Sequence, residues 1–211
     1  ILEMGVDLRL GHQINSMSSL LADEFDAVFV GTGAPRGKDL ELPGRGDSER
    51  IHIGIDWLES VTFEHTKTIG EKVLIIGAGN TAMDCCRTSL RLSGKDVKVI
   101  ARKPRGYFKA SDWELEDAEE EQVEIVVNHS PREFVLDNDK LIGMRFDRLH
   151  YSHDASGKLS SEIVGQEFLP CDDVILAIGQ ENAFTWIERD IGIDFDEWDM
   201  PVIDKTTYQS T

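Results

Sequence analysis

The chain has 211 residues, 40% of them hydrophobic, and a formal charge of −18 from 22 basic and 40 acidic side chains. That balance opposes non-specific nucleic-acid binding, which runs on cations that neutralise phosphates; no apolar run reaches the roughly 18 residues of a membrane span, and no secretory signal is visible. Three cysteines, Cys85, Cys86 and Cys171, with no CxxC exclude a disulfide framework and a thioredoxin-type dithiol, and fit a reducing cytoplasm.

In chain order, residues 1–5 read as the end of a helix stopped by Gly5, with a short strand at Val6–Leu10 and a short helix at Met17–Ala22. Phe25–Val30 reads as a buried strand running into the glycine turn Gly31-Thr32-Gly33. An irregular loop from Gly37 to Asp47 precedes a short helix at Gly54–Val61 with Trp57 and Leu58 on its apolar face. The polar stretch Thr62–Gly70 marks a domain boundary near Lys67.

The segment that follows organises the chain. Lys72–Ile76 is an apolar strand, Gly77-Ala78-Gly79-Asn80-Thr81-Ala82 a glycine turn, Met83–Leu92 a helix, and Val97–Ala101 a second strand that ends in Arg102, Lys103 and Arg105. In such a turn Gly77 permits the tight exit from the strand, Gly79 lets a pyrophosphate approach the backbone, and Ala82 is small enough for close helix–strand packing. Asn80 and Thr81 add side-chain partners at the helix start, where amides and the helix dipole meet the phosphates. About 20 residues beyond the glycines an NAD site places an acid, and an NADP site places Arg. Here the strand ends in cations, so the expected ligand is NADP(H).

Ser111-Asp112-Trp113-Glu114 then reads as a capping box opening a helix to about Glu121, with Trp113, Leu115 and Ala118 turned inward and its acids solvated. Val123–Val127 is a third strand, giving β-α-β-α-β, the pattern of a Rossmann-like doubly wound α/β domain. Glu133–Leu136, Leu141–Leu149 and Glu162–Leu169 read as an antiparallel β-meander with a turn at 154–158, and Asp172–Ile178 as a last apolar strand ending in Gly179. A short helix around Ala183–Arg189 and the pieces Ile193 and Val202–Asp204 close the chain. His150-x-x-His153 has metal-like spacing without a third ligand nearby, so no metal site is expected. Asp84 and Arg87 are placed to pair at i, i+3. Cys85 and Cys86 diverge on one helix and read as packing residues.

Gly77–Gly94, GAGNTAMDCCRTSLRLSG, resembles the NADPH motif of the glutamate synthase small-subunit family of flavin-dependent oxidoreductases, usually GxGNTAMDxxRxxxRxG. Asp26–Gly33, DAVFVGTG, is similar to the family's DAVxxATG, Leu40–Gly44 to its loop ending in PG, and Asp173–Gly179, DVILAIG, to its second strand into the flavin domain. The resemblance implies an NADPH domain inserted in an FAD domain, with hydride passing from nicotinamide to flavin and on to iron–sulfur centres. It assigns Gly77, Gly79, Asn80 and Thr81 to the pyrophosphate, Arg102 and Lys103 to the 2′-phosphate, Ala177, Ile178 and Gly179 to the nicotinamide side, and Thr32 and Gly33 to the flavin side. No residue is expected to act as nucleophile, acid or base.

Where the family has Met-Pro-Ala after the basic cluster, this chain has Phe108-Lys109-Ala110. Neither the family's N-terminal GxGxxG nor its C-terminal Gly-Asp motif is present. The expected organisation is therefore a flavin-domain segment at 1–66, the NADPH domain at 67–180 and a flavin-domain return at 181–211. Such a piece is expected to bind NADPH without retaining FAD and to be inactive alone, its parent handing electrons to a large subunit or an iron–sulfur acceptor. The rival reading is a non-catalytic NADPH-binding sensor or scaffold with no flavin; the colour of the whole protein separates the two.

Overall fold

The computed structural model describes residues 2–153 and 157–210. It divides into two compact units, Arg36–Glu181 and the paired flanks Ile1–Pro35 with Asn182–Thr211. The boundary expected near Lys67 falls inside the central unit, because the strand before it belongs to the same sheet as the strands after it.

The central unit runs β1 (Arg36–Gly37), β2 (Ile51–Ile53), α2 (Gly54–Thr62), β3 (Lys72–Ile76), α3 (Asn80–Leu92), β4 (Asp96–Ile100), α4 (Asp112–Glu120), β5 (Glu124–Val126), β6 (His129–Asp137), β7 (Lys140–His153), β8 (Leu159–Pro170), β9 (Asp173–Leu176) and β10 (Gln180–Glu181); α1 (Met17–Leu21) lies in the flanking unit. Five strands form a parallel sheet in the order β2-β9-β3-β4-β5, and β6-β7-β8 form an antiparallel meander. The expected β-α-β-α-β order is therefore present, with β9 inserted beside β3.

Both faces of the parallel sheet are covered, which is why its central strands β3 and β9 carry continuous apolar runs, Val73–Ile76 and Val174–Leu176, rather than alternating. Val73, Ile75 and Val99 pack under the helices with Trp57, Met83, Cys85, Cys86, Leu115 and Ala118. Leu74, Ile76, Ile100, Val174 and Leu176 face the meander's Phe134, Leu141, Met144 and Phe146. Each such aliphatic side chain removed from water contributes on the order of 1.5–3 kcal/mol. The second face is thus closed by the meander, while α2, α3 and α4 share the first.

The capping box does not form. Ser111 occupies the N-cap of α4 but makes no side-chain cap bond, and its hydroxyl is buried without a partner. Glu114 instead reaches Arg87 at 3.4 Å, where Asp117 at 2.9 Å and Glu121 at 2.8 Å also converge. Arg87 therefore ties α3 to α4 through three carboxylates and not to Asp84. Trp113, expected inside, is 60% exposed, since the helix turns its Leu115–Ala118 stripe to the core and leaves residue 113 outside it.

In the flanking unit, Val6–Leu10 and Phe25–Val30 are not strands, and Phe29 is 95% exposed. Their β propensity finds no ladder partner among the described residues, and a lone strand leaves its backbone groups unpaired. Residues 183–189 form turns rather than a helix. Glu188 serves α1 instead: its carboxylate accepts from the Met17 and Ser18 amides at 3.1 Å each and from the Ser16 hydroxyl, the N-cap residue. Met17, Phe184 and Ile187 make a small core around that cap. Residues 154–156 of the expected hairpin turn lie outside the described residues.

Candidate functional site

The site is built at the carboxyl edge of the parallel sheet, where open α/β sheets bind ligands. Beyond Ile76 the chain turns at Gly77 with φ of +130°, and a Cβ there would sit 2.2 Å from the Ala177 carbonyl oxygen. Only glycine lets this turn pass so close over the end of β9. The turn is pinned on both sides, as the Gly77 amide donates to the Ile100 carbonyl at 3.0 Å and the Ala177 amide to that of Ile76 at 2.8 Å. Ala177 is buried, and the Gly179 carbonyl accepts from the Lys38 amide at 3.0 Å. The glycine turn and Ala177–Gly179, separated by a hundred residues in the chain, are thus neighbours.

Gly79 differs. It is the N-cap of α3 in extended conformation, φ −111°, and a Cβ there would meet nothing within 4 Å. Its carbonyl accepts from the Ala82 and Met83 amides at 2.9 and 3.2 Å, while among the described residues the Gly79, Asn80 and Thr81 amides meet no protein acceptor. Free donors at the start of a 13-residue helix, beside space that a side chain would fill, fit an anionic diphosphate. Ala82, fully buried, supplies the close helix–strand contact.

Asn80 has a partner that sequence reasoning missed. Its side-chain oxygen accepts from the Ser111 amide at 2.9 Å, and the Lys109 and Ala110 amides donate to the Ala78 carbonyl at 3.0 and 3.1 Å. The loop before α4 is thus laced to the glycine turn. A proline at 109, as in the family pattern, has no N–H to give, so the departure Phe108-Lys109-Ala110 adds one of these bonds.

Of the three cations after β4, two are available. Arg102 and Lys103 are exposed and form no ion pair among the described residues, whereas Arg105 is paired with Glu119 of α4. Ala101, where an acid would select NAD, is buried, its amide bonded to the Val126 carbonyl at 2.8 Å and its carbonyl accepting from His129 at 3.1 Å. Arg102 and Lys103 border an open groove of about 450 Å³ with Tyr107, Ser130, Tyr151 and Ser161. The last three come from the meander, to which sequence reasoning gave no role; the signal was there in Tyr151 and His153, two aromatic residues on alternate positions. His153 bonds the Tyr107 hydroxyl at 3.2 Å, and among the described residues no group of side chains could hold a metal. Thr32 and Gly33 belong to the flanking unit and are exposed.

The cysteines are buried and free. Burial pushes the Cys86 and Cys171 thiols up to about 12 and raises Cys85 as well, so none presents a thiolate near neutral pH. No helix among the described residues is long and apolar enough to cross a membrane.

The chain is 35% identical over 210 residues to the NADPH-Fe(3+) oxidoreductase subunit beta of Geobacter sulfurreducens, covering 96% of this chain and 31% of that protein. It is 31% identical to the glutamate synthase [NADPH] small chain of Halomonas elongata, covering 92% of this chain and 44% of that one. The chain therefore spans about a third to under half of the length of these relatives. In fold it is similar to the oxidoreductase FprA of Mycobacterium tuberculosis in complex with NADPH, at TM-score 0.66 and 17% identity over 84% of this chain and 54% of that chain. It is also similar to the thioredoxin reductase of T. acidophilum, at TM-score 0.58 and 17% identity over 80% of this chain and 49% of that chain. Residues 4–211 match the family described as pyridine nucleotide-disulphide oxidoreductase, and the chain belongs to that family.

Proposed function

We propose that the chain is the NADPH-binding portion of a flavin-dependent oxidoreductase resembling the glutamate synthase small subunit, in which hydride passes from NADPH to FAD and on to an electron acceptor. The observation that carries this reading is the pair of exposed cations, Arg102 and Lys103, with no ion-pair partner among the described residues, at the end of the strand that follows an open glycine turn. The free amides of Gly79, Asn80 and Thr81 would hold the pyrophosphate, Arg102 and Lys103 the 2′-phosphate, and Ala177–Gly179 would border the nicotinamide. Arg105, already paired, would contribute little. Bound NADPH supplies the hydride; the residues of this chain bind and orient it, and none is asked to move a proton.

Thr32 and Gly33 would belong to the flavin side, in a longer protein that retains FAD where this chain alone would not. The names of two relatives, each a subunit beta, support a partner subunit; an iron–sulfur acceptor is what the family resemblance implies. Three free, buried thiols support a reducing cytoplasm. Replacing both Arg102 and Lys103 with Ala should weaken NADPH about a hundredfold and NADH by less than about threefold, measured by calorimetric titration. Equal losses for both nucleotides would remove the 2′-phosphate assignment.

A further inference from the structure

The geometry points to the β7–β8 arm as the specificity-determining element of the 2′-phosphate site, with Tyr151 and Tyr107 as the residues that position Arg102 and Lys103. This rests on Arg102 and Lys103 taking the 2′-phosphate.

The arm is built for reach. β6 pairs with β7 only as far as His129 opposite Arg148, and the Leu149 amide still bonds the Asn128 carbonyl at 2.8 Å, yet β7 continues to His153, paired with β8 alone among the described residues from His150 opposite Glu162 to His153 opposite Leu159. A register shift between Arg148 and Leu149 marks the point where this two-stranded ribbon leaves the meander. Two strands without a third are marginal in water, so such an overhang needs anchoring. Two hydrogen bonds supply it, and both go to the basic segment: the Tyr151 hydroxyl donates to the Arg102 carbonyl at 3.0 Å, and Tyr107 meets His153 Nε2 at 3.2 Å.

Each contact acts on one cation. The first fixes the backbone of Arg102 just past the end of β4. The second fixes Tyr107, whose ring lies 5.8 Å from the Lys103 ammonium, within cation–π range. Without them two long side chains, each rich in rotamers, would have to be ordered by the ligand alone. Ser130 and Ser161 add hydroxyls on the same wall. The ligand chemistry that suits two fixed cations, hydroxyl donors and aromatic surface is a ribose carrying a 2′-phosphate next to a purine.

The test is calorimetric titration of the chain with 2′,5′-ADP and with 5′-AMP, which differ by the 2′-phosphate. Y151F removes one hydrogen bond and keeps the ring; it should weaken 2′,5′-ADP about three- to tenfold, leave 5′-AMP unchanged and leave the melting temperature unchanged. Y107F should do the same through the loss of the His153 bond, and carries the test if Y151F does not fold. Equal weakening of both ligands by these variants, or no weakening of either, overturns the proposal. The doubly substituted R102A/K103A chain separates the two levels. If it loses its preference for 2′,5′-ADP while the tyrosine variants keep theirs, only the role of the arm falls; if it keeps the preference, the 2′-phosphate assignment falls with it.

Discussion

The two edges of the parallel sheet are made by the same strands and are finished in opposite ways. At the amino edge Asp173 is 1% exposed and every contact it makes is internal: His52 Nε2 at 2.8 Å, the Gly70 amide at 2.8 Å and Arg50 at 3.4 Å. At the carboxyl edge the amides of Gly79, Asn80 and Thr81 have no protein acceptor, and the cations Arg102 and Lys103 no ion-pair partner, among the described residues. A saturated edge stabilises the fold; an unsaturated one is available to a ligand. Substitutions at the two edges should therefore separate stability from binding.

The largest effect is expected within the carboxyl edge itself, where the two glycines differ. Gly77→Ala places a Cβ against the Ala177 carbonyl at a positive φ and should cost about 4 kcal/mol or more, measured as the urea midpoint. Gly79→Ala meets no atom and has an ordinary φ, so stability should change by less than about 1 kcal/mol. Nucleotide affinity should nevertheless fall about tenfold, because the new methyl occupies the space in front of the free amides. A Gly79→Ala chain that binds normally would show that the phosphates lie elsewhere.

At the amino edge, Asp173→Ala leaves the Gly70 amide and the His52 ring without their acceptor, at a cost of about 3 kcal/mol. The folded fraction should bind 2′,5′-ADP as the parent does. Weakened binding in fully folded protein would erase the distinction between the edges.

How far these features were legible in the sequence follows the same division. The glycine turn, its helix and the cation-ended strand were readable because each is local: a φ requirement at Gly77, an apolar run in Lys72–Ile76, charges at a fixed distance. The meander was readable from alternation, but the role of its overhang was not, since Tyr151 reaches Arg102 across 49 positions by a hydrogen bond that no spacing rule describes. Ser111–Glu114 misled for a related reason. The motif is a local rule, and a long-range ion pair with Arg87 outcompeted it for Glu114. Phe25–Val30 misled because strand propensity is realised only when a neighbour completes the ladder.

The smallest effect concerns the ion network between α3 and α4, which lies away from the free amides at the start of α3. The Glu121 carboxyl is held below the usual carboxylate range, first by its hydrogen bond to Arg91 and then by Arg87. A depressed folded-state value means that this stabilisation is fully present above the unfolded-state pKa of about 4.3 and is lost as pH falls through the folded value. Glu121→Gln should therefore be less stable than the parent by about 0.5–1 kcal/mol at pH 7, and the difference should shrink as pH falls below the unfolded-state value and vanish once it is below the folded one. Other carboxylates held low, such as Asp39 and Glu188, lower the stability of both proteins in acid, so the informative quantity is the gap between the two denaturation curves. A gap that persists unchanged to the lowest pH at which both chains fold would mean that Glu121 contributes by packing and not by its charge. Affinity for 2′,5′-ADP should be the same in both, because this ion network supports the helix behind the amides and leaves their direction unchanged.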